Sequence, residues 1–173
     1  MGVFAATVIV AAAWLFGCAS GWQRQGDRFV LPSEGLSIGA PASGTWKPVP
    51  VEGSTLTLRR EDGATLSWLR QCQGREVRAR VASRELLRGI AEREILDEGP
   101  VAVDGGEAWR VAARVHDPAG AAELRAVTRV GDGCTDDWVL AAPAGTAAEG
   151  LLDAWWSSFT GPEVAAGGGA ETP

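Results

Sequence analysis

The sequence predicts an α+β fold, in which an antiparallel β-sheet of about six to seven strands is flanked by two main helices in an αβα sandwich. Short segments of alternating apolar and polar residues, separated by glycine-containing turns, are typical of antiparallel strands. Two other segments carry apolar residues at helical spacing. The elements come in the order strands, helix, four strands, helix, which favours helices packed on an antiparallel sheet.

The early strands are predicted from short apolar segments. Arg28–Leu31 ends at a proline, and Gly44–Val51 carries its apolar residues between prolines, which is typical of an edge strand. Leu56–Arg60 and Ala64–Gln71 form the clearest hairpin. Their connection, Glu61-Asp62-Gly63, supplies a glycine where the turn needs a positive φ.

The first helix is predicted to begin at Ser83, its N-cap, and to extend to about Leu96. Its charged residues lie away from an apolar stripe, which must pack on the sheet. The stripe consists of Leu86, Leu87, Ile90, Ala91 and Ile95.

The four strands that follow are predicted to form a meander with a glycine in each turn. The strands are Val101–Val103, Ala108–His116, Leu124–Val130 and Cys134–Ala141, and the turns are Asp104–Gly106, Asp117–Gly120 and Gly131–Gly133.

The last helix is predicted to follow a capping box at Thr146–Glu149. Its apolar residues are Leu151, Leu152, Trp155, Trp156 and Phe159. Trp155 and Trp156 are neighbours about 100° apart around the helix, so we expect one of them to lie at the rim of the core. This pair is the candidate binding surface, since an exposed tryptophan marks a contact with a protein or with the nearby bilayer.

The first seventeen residues are uncharged and mostly apolar, and the run ends at Cys18. This length suits the apolar region of a secretory signal, about 7 to 15 residues, and falls short of the roughly 20 that span a bilayer. Leu15-Phe16-Gly17-Cys18 resembles the lipobox of bacterial lipoproteins, although Phe16 is bulkier than the pattern prefers and no Lys or Arg precedes it. An ordinary secretory signal and a short uncleaved anchor are the alternatives.

The lipobox resemblance implies cleavage before Cys18 and acylation of that cysteine, and two acyl chains anchor a protein stably to a membrane. The predicted organisation is a signal peptide at 1–17, the lipidated cysteine and a short tether at 18–27, a folded domain at 28–160 and a disordered tail at 161–173. We expect the domain to face the periplasm of the cell envelope. The same resemblance implies the outer membrane over the inner membrane, since Ala19 follows the cysteine at the position where an aspartate would signal retention in the inner membrane.

Charge and cysteine content restrict the function further. With 16 Lys and Arg against 22 Asp and Glu, the formal net charge is −6, so no basic excess points to nucleic acid. If Cys18 carries lipid, Cys72 and Cys134 remain, and in an exported chain two such cysteines usually pair. That disulfide would close a loop of about 60 residues and add at most roughly 4 kcal/mol. A redox or metal role is the alternative, and no CxxC supports it.

No pattern in the sequence points to catalysis, a metal or a cofactor. The single histidine, His116, is expected to be exposed at a strand end, and neither a histidine triad nor a two-histidine metal site can be built from it. There is no GxSxG motif, and Lys47 beside a proline is not placed like a nucleophile. Four aspartates could offer calcium ligands, but their spacing matches no EF-hand, so we expect solvated turn carboxylates. They are Asp104, Asp132, Asp136 and Asp137.

The element order, the Cys134–Pro143 strand (CTDDWVLAAP) and the capped aromatic helix Thr146–Phe159 resemble those of small lipoproteins with the PsbP-like fold. The resemblance covers essentially the whole predicted domain and rests on apolar patterns instead of catalytic signatures. It implies an αβα sandwich that serves as a binding or assembly module. Fold alone does not fix function.

Two functions are compatible with these observations. The favoured one is a non-catalytic, lipid-anchored envelope lipoprotein that binds another envelope protein, as an accessory to a transport or assembly complex. The alternative is a domain that binds cell-wall glycan or lipid, or a minor hydrolase, because sugar sites use aromatic rings. Six tryptophans lie in the predicted domain, where they could instead fill the core: Trp46, Trp68, Trp109, Trp138, Trp155 and Trp156.

Overall fold

The computed structural model of the chain describes residues 21–72, 77–103, 106–117, 120–146 and 150–161. Within them, a seven-stranded antiparallel sheet carries one helix on each face, which confirms the predicted fold class. The strand order is β4-β5-β6-β10-β9-β8-β7. The strands are β4 (Trp46–Pro48), β5 (Leu56–Arg60), β6 (Thr65–Gln71), β7 (Arg93–Val101), β8 (Glu107–Asp117), β9 (Gly120–Gly131) and β10 (Cys134–Pro143), and the helices are α1 (Ala79–Leu86) and α2 (Leu151–Ser157).

A second, three-stranded antiparallel sheet precedes the large one. It consists of β1 (Gln23–Gln25), β2 (Arg28–Leu31) and β3 (Leu36–Gly39), in that order, with a short 3-10 helix at Pro32–Glu34 between the last two. The predicted strand at Arg28–Leu31 is therefore confirmed, although in a sheet of its own. A backbone bridge between Ser37 and Thr160 joins this sheet to the chain that follows α2.

The central strand β10 holds the large sheet together, because it pairs with β6 on one side and with β9 on the other. Thr135 is paired with Gln71, so Cys134 and Cys72 lie opposite each other at the end of these two strands. The two cysteines form a disulfide, as predicted. The bond joins the early hairpin to the last strand across 62 residues of sequence.

The two faces of the large sheet bury cores of unequal size. The main core lies between the sheet, the small sheet and α2, and its largest fully buried side chains include Trp68, Trp138 and Leu66. The smaller core lies under α1 and centres on Leu87, Val111 and Ala126. Burial of apolar surface on both faces is what makes the three-layer sandwich stable.

The first helix was predicted in the wrong place. It spans Ala79–Leu86, so that Ser83 is not its N-cap but a buried residue inside it, and the chain from Arg93 onward is strand. The apolar residues near Ile95 have helical spacing, yet this segment forms a strand because it pairs with β8. The pairing satisfies backbone groups of β8 that would otherwise lie at an open sheet edge. Ile95 and Leu96 are 45% exposed, so the stripe does not form a buried helix face.

The capping box of the last helix was also wrong. α2 begins at Leu151 after Gly150, an N-cap in the left-handed conformation, where glycine is favoured. Thr146 instead donates its hydroxyl to the carbonyl of Pro143 at 2.8 Å, which closes a turn. The other residues of the predicted box, 147–149, lie outside the described residues.

The predicted tether is ordered in its second half, which corrects its boundary. Gln23–Gln25 pairs with β2, and the Trp22 ring packs edge-on against Trp68 with 5.4 Å between centroids. The Trp22 indole N–H also donates to the carbonyl of Thr55. The β1 side chains are all exposed, and the strand is held by its backbone pairing and by the Arg24 guanidinium, which lies 5.9 Å from the ring centre of Phe29. No apolar pattern in the sequence indicates this strand. Cys18 and the tail from 162 onward lie outside the described residues.

None of the helices in the described part of the chain is long and apolar enough to cross a bilayer.

Candidate functional site

A pocket of about 420 Å³ opens to solvent on the face of the large sheet that carries α2. This volume falls within the roughly 300 to 1,000 Å³ of pockets that bind ligands. Its lining comes from the segment after β7, from β9 and β10, and from the end of α2 and the residues after it. The lining residues are Ala102, Val103, Arg129, Trp138, Trp156, Ser157 and Phe159.

Aromatic rings form the inner wall of the pocket. Trp138 points into the main core from the middle of β10 and stacks on its cross-strand partner Trp68, with centroids 6.1 Å apart and planes 13° from parallel. The Phe159 ring lies 5.3 Å from Trp138, and the Trp156 ring lies 6.0 Å from it. Together with Trp22, these residues form what we call the ring cluster: Trp22, Trp68, Trp138, Trp156 and Phe159.

The two neighbouring tryptophans of α2 have different environments, as expected. Trp155 is buried in the main core, whereas Trp156 is partly exposed and lines the pocket. The Trp156 indole N–H donates to Asp153, one turn earlier, at 3.3 Å. Trp156 is therefore the residue of the predicted pair that is available to a ligand, and Trp155 is a core residue.

The remaining tryptophans mostly fill the core. Trp46, Trp68 and Trp138 are buried. Of the two possibilities that the sequence left open, core residues or platforms on which sugars stack, these three are core residues. Trp109 is partly exposed on the other face of the sheet, where the guanidinium of Arg80 lies 5.2 Å from its ring centre.

Beside the rings, a line of alternating charges crosses three strands. Asp136 on β10 is paired in register with Arg70 on β6 and with Arg129 on β9, and we call these three residues the charged row. Asp136 is 3% exposed and accepts hydrogen bonds from Arg70 at 3.1 Å and from the Trp68 indole N–H at 3.0 Å. Burial raises the pKa of Asp136, while the charge of Arg70 and the bond from Trp68 oppose that rise.

Arg129 is the member of the charged row that borders the pocket, and its charge is poorly compensated. The one carboxylate of the row is hydrogen-bonded to Arg70, and Arg129 interacts with it through its charge without a hydrogen bond. The nearest ion-pair partner of Arg129 is Asp132, at 3.6 Å, and that side chain is 75% exposed. Among the described residues, the buried Nε of Arg129 and the buried indole nitrogen of Trp138 have no hydrogen-bond partner. Buried donors without acceptors are unfavourable, so this part of the pocket favours an acceptor-bearing group.

The predicted aspartate group is split by the structure. Asp132 is an exposed turn carboxylate, as expected, but Asp136 and Asp137 are adjacent in β10 and therefore point to opposite faces. The expectation that these two are solvated was wrong. Burial raises the pKa of Asp137 to about 6, although the Thr128 hydroxyl donates to it at 2.5 Å and opposes the shift. Asp104 lies outside the described residues.

In the part of the chain that the structure describes, no three His, Cys, Asp or Glu side chains are grouped so as to hold a metal ion. His116 is exposed at the end of β8, and the Lys47 side chain is 71% exposed at the sheet edge. Within the described lining, the pocket offers one hydroxyl, on Ser157, with no imidazole, thiol or carboxylate beside it. The arrangement is suited to binding, through rings and one cation.

Sequence reasoning did not find Arg129, although a signal for it was present. The turn between β9 and β10 has Asp132 and Gly133 at its centre, both with positive φ, as in a two-residue hairpin loop. Such a loop fixes the register of the hairpin, and extending that register by two pairs from Gly131 and Cys134 places Arg129 opposite Asp136. The turn residues therefore predict that Arg129 and Asp136, which carry opposite charges, face each other in the hairpin.

No protein-family model matches the chain, and no curated protein matches it. Among solved structures, the chain is similar to the solution structure of cyanobacterial PsbP (CyanoP) from Synechocystis sp. PCC 6803, with a TM-score of 0.59 and 17% identity over 78% of this chain and 91% of that one. A crystal structure from Bacteroides thetaiotaomicron has a TM-score of 0.56 and 12% identity, over 82% of this chain and 50% of that one. At these identities the similarity shows the fold alone, and the expected PsbP-like fold is confirmed.

Proposed function

We propose that this chain is a non-catalytic lipoprotein of the cell envelope whose domain binds another envelope protein, as an accessory to an assembly or transport complex. The observation that carries the proposal is the pocket, which is lined both by the partly exposed Trp156 and by Arg129, whose charge is poorly compensated. Tryptophan and arginine are enriched among the few residues that dominate the free energy of protein–protein binding.

Two features support a position at the membrane. The apolar run that ends at Cys18 resembles a lipobox, and the disulfide between Cys72 and Cys134 suits an oxidising compartment outside the cytoplasm. Because Trp22 is already packed in the domain, only the four-residue step from Cys18 to Trp22 separates the proposed lipid from the fold. A chain of that length spans at most about 14 Å, so the domain would lie against the bilayer, facing the periplasm. The resemblance to lipoproteins, with Ala19 after the cysteine, favours the outer membrane.

The proposal is tested by crosslinking in intact cells, solubilising the membranes in detergent and purifying the tagged chain with whatever it has bound. We expect one or more envelope proteins to be enriched over a control that carries only residues 1–20 and the tag. Trp156→Ala should lower the recovery about tenfold, whereas Trp109→Ala, which removes a partly exposed tryptophan from the other face, should not. Enrichment of nothing beyond the lipidated control would refute the proposal.

A second candidate is binding of cell-wall glycan or lipid, and one observation favours it. The pocket has the volume of a small-molecule site, and Trp156 offers part of a ring to stack on a sugar. Sedimentation of the purified domain with insoluble peptidoglycan would detect such binding. A bound fraction that Trp156→Ala abolishes and Trp109→Ala preserves would favour this candidate, and a domain that stays in the supernatant would count against it.

A further inference from the structure

We propose that the pocket is a carboxylate site, which binds an acidic group that a segment of the partner protein carries beside an aromatic or branched apolar side chain. This inference rests on the proposed function and names the chemistry of the partner.

The acidic group follows from the charge balance at Arg129. The charged row contains two guanidinium groups and one carboxylate, and both oxygens of that carboxylate lie within 3.2 Å of Arg70. Asp132 is 3.6 Å from Arg129 and mostly exposed, and ion pairs of that kind contribute little. A carboxylate bound in the pocket would give Arg129 an acceptor with two oxygens, which matches the planar fork of a guanidinium.

A second donor lies in the same pocket. Trp138 is fully buried, lines the pocket and has an indole nitrogen without a hydrogen-bond partner among the described residues. The Nε of Arg129 is likewise buried and has no hydrogen-bond partner among the described residues. These donors come from adjacent strands, β10 and β9, and both residues belong to the lining of the pocket.

The apolar part of the ligand follows from the other walls. Trp156 and Phe159 present ring surface from the end of α2, and Ala102 and Val103 present small apolar groups after β7. A ring or a branched side chain would gain contact with Trp156 and Phe159 while the acid meets Arg129. A carboxylate without such a neighbour would leave these rings uncovered.

The shape of the pocket favours a protein segment over a free acid. Small-molecule sites enclose about 70 to 90% of their ligand, whereas this pocket is open to solvent and would leave much of a free acid exposed. A side chain that projects from a larger partner needs no such enclosure, because the rest of the partner covers the rim.

The test compares two peptides, Ac-Gly-Phe-Glu-Gly-NH2 and Ac-Gly-Phe-Gln-Gly-NH2, which differ by one charge. Binding is followed by NMR through the indole N–H signals of Trp138 and Trp156 and the Nε–H signal of Arg129. We expect the glutamate peptide to bind at least about tenfold more tightly, since it makes a charge-assisted hydrogen bond that the glutamine peptide lacks. Equal affinities of the two peptides would overturn the inference.

Two variants assign the preference to Arg129. Arg129→Gln should abolish the difference between the peptides, whereas Arg125→Gln should keep it. Arg125 lies four residues earlier on β9, carries the same charge, is paired with Glu123 at 3.6 Å and does not line the pocket. Trp156→Ala should weaken both peptides and keep their ratio, which tests the site with Arg129 intact. A preference that survives Arg129→Gln would overturn the inference, and so would N-acetylphenylalanine, a free acid, binding more tightly than the glutamate peptide.

The same variant separates this inference from the proposed function. Loss of the crosslinked partner in Arg129→Gln and its retention in Arg125→Gln would support both. Equal recovery in wild type and Arg129→Gln would overturn the carboxylate site while the binding function stands. Recovery of no partner by the wild type would refute the function, and the peptide titration would still decide the chemistry of the pocket.

Discussion

Replacing Asp137 by asparagine should stabilise the domain at neutral pH and leave its stability unchanged in acid. The Asp137 carboxyl is largely withdrawn from water and accepts a hydrogen bond from Thr128, and no cation among the described residues is bonded to it. Burial raises its pKa from 3.8 to about 6. The folded state therefore holds this proton more tightly than the unfolded state does. Stability from this group is fully present below about pH 4 and is lost as the pH rises through about 6.

The size of the effect follows from the two pKa values. A pKa that is about two units higher in the folded state corresponds to about 3 kcal/mol of unfolding free energy above pH 7. Partial exposure of the side chain makes this an upper value. Asparagine cannot ionise but keeps an oxygen for the Thr128 hydroxyl. Asp137→Asn should therefore be up to about 3 kcal/mol more stable than wild type above pH 7, or roughly 6 to 12 °C higher in Tm.

Urea unfolding, followed by tryptophan fluorescence at pH values from 4 to 8, measures this difference. The matched control is Asp132→Asn, which removes a carboxylate that is 75% exposed in the adjacent turn, at a positive φ that asparagine tolerates. Its difference from wild type should stay below about 1 kcal/mol at every pH. A difference between Asp137→Asn and wild type that does not grow with pH would refute the reasoning, because an ionisation cost must depend on pH.

Three further predictions concern the stability of the sandwich, each measured by urea unfolding. Arg70→Met should destabilise by about 3 to 5 kcal/mol at pH 7, because it leaves Asp136 buried without its cation, and a loss below 1 kcal/mol would contradict this pairing. Gly106→Ala should cost about 1 to 3 kcal/mol, since its new Cβ would lie 2.6 Å from a backbone carbonyl oxygen of β9, while Gly99→Ala, with nothing within 4 Å, should be nearly neutral. Cys72→Ala should lower stability by up to roughly 4 kcal/mol, an effect that a reducing agent should reproduce in the wild type and not in the variant.

The hairpins of the large sheet were predictable because their turns are encoded locally. Gly63 adopts the positive φ expected of it, and the strands on either side pair as predicted. The turn at Asp132 and Gly133 likewise joins the two strands predicted around it. In such cases a few residues determine the turn geometry, and the alternation of side chains then assigns each strand a buried face.

The elements that sequence reasoning missed are those that depend on pairing at a distance. β1 has three exposed side chains, so nothing in its own residues distinguishes it from a tether. β7 carries apolar residues at helical spacing, yet its conformation is decided by β8, which offers it backbone partners from Arg93 to Val101 with one interruption at Leu96. The spacing of apolar residues within one segment cannot show that the segment pairs with residues elsewhere in the chain.

Of the site, the tryptophan pair of α2 could be predicted from the sequence, whereas the role of Arg129 could not, for a related reason. The pair Trp155 and Trp156 could be singled out because two adjacent tryptophans do not share one buried helix face, and the structure then shows that Trp156 is the one at the pocket. Arg129 looks like any other charged strand residue, since nothing in its own sequence neighbourhood distinguishes a half-buried arginine from a solvated one. The turn at Asp132 and Gly133 places it opposite Asp136, but the pairing of Asp136 with Arg70, which leaves Arg129 without a close partner, depends on a third strand.

The proposed anchor and the proposed site belong to one structural unit. Trp22, four residues after Cys18, contacts Trp68 with 5.4 Å between ring centroids. Trp68 stacks on Trp138 at 6.1 Å, and Trp138 contacts Trp156 at the pocket at 6.0 Å. A lipid on Cys18 would therefore keep the pocket on a part of the domain that is connected closely to the attachment point, and so near the bilayer. This placement favours a partner that is itself in or on the membrane, because confinement of both to one surface raises their effective concentration. Cys18→Ser, which removes the proposed lipidation site and leaves the pocket intact, should then reduce partner recovery from cells without changing the affinity of the pocket for the glutamate peptide.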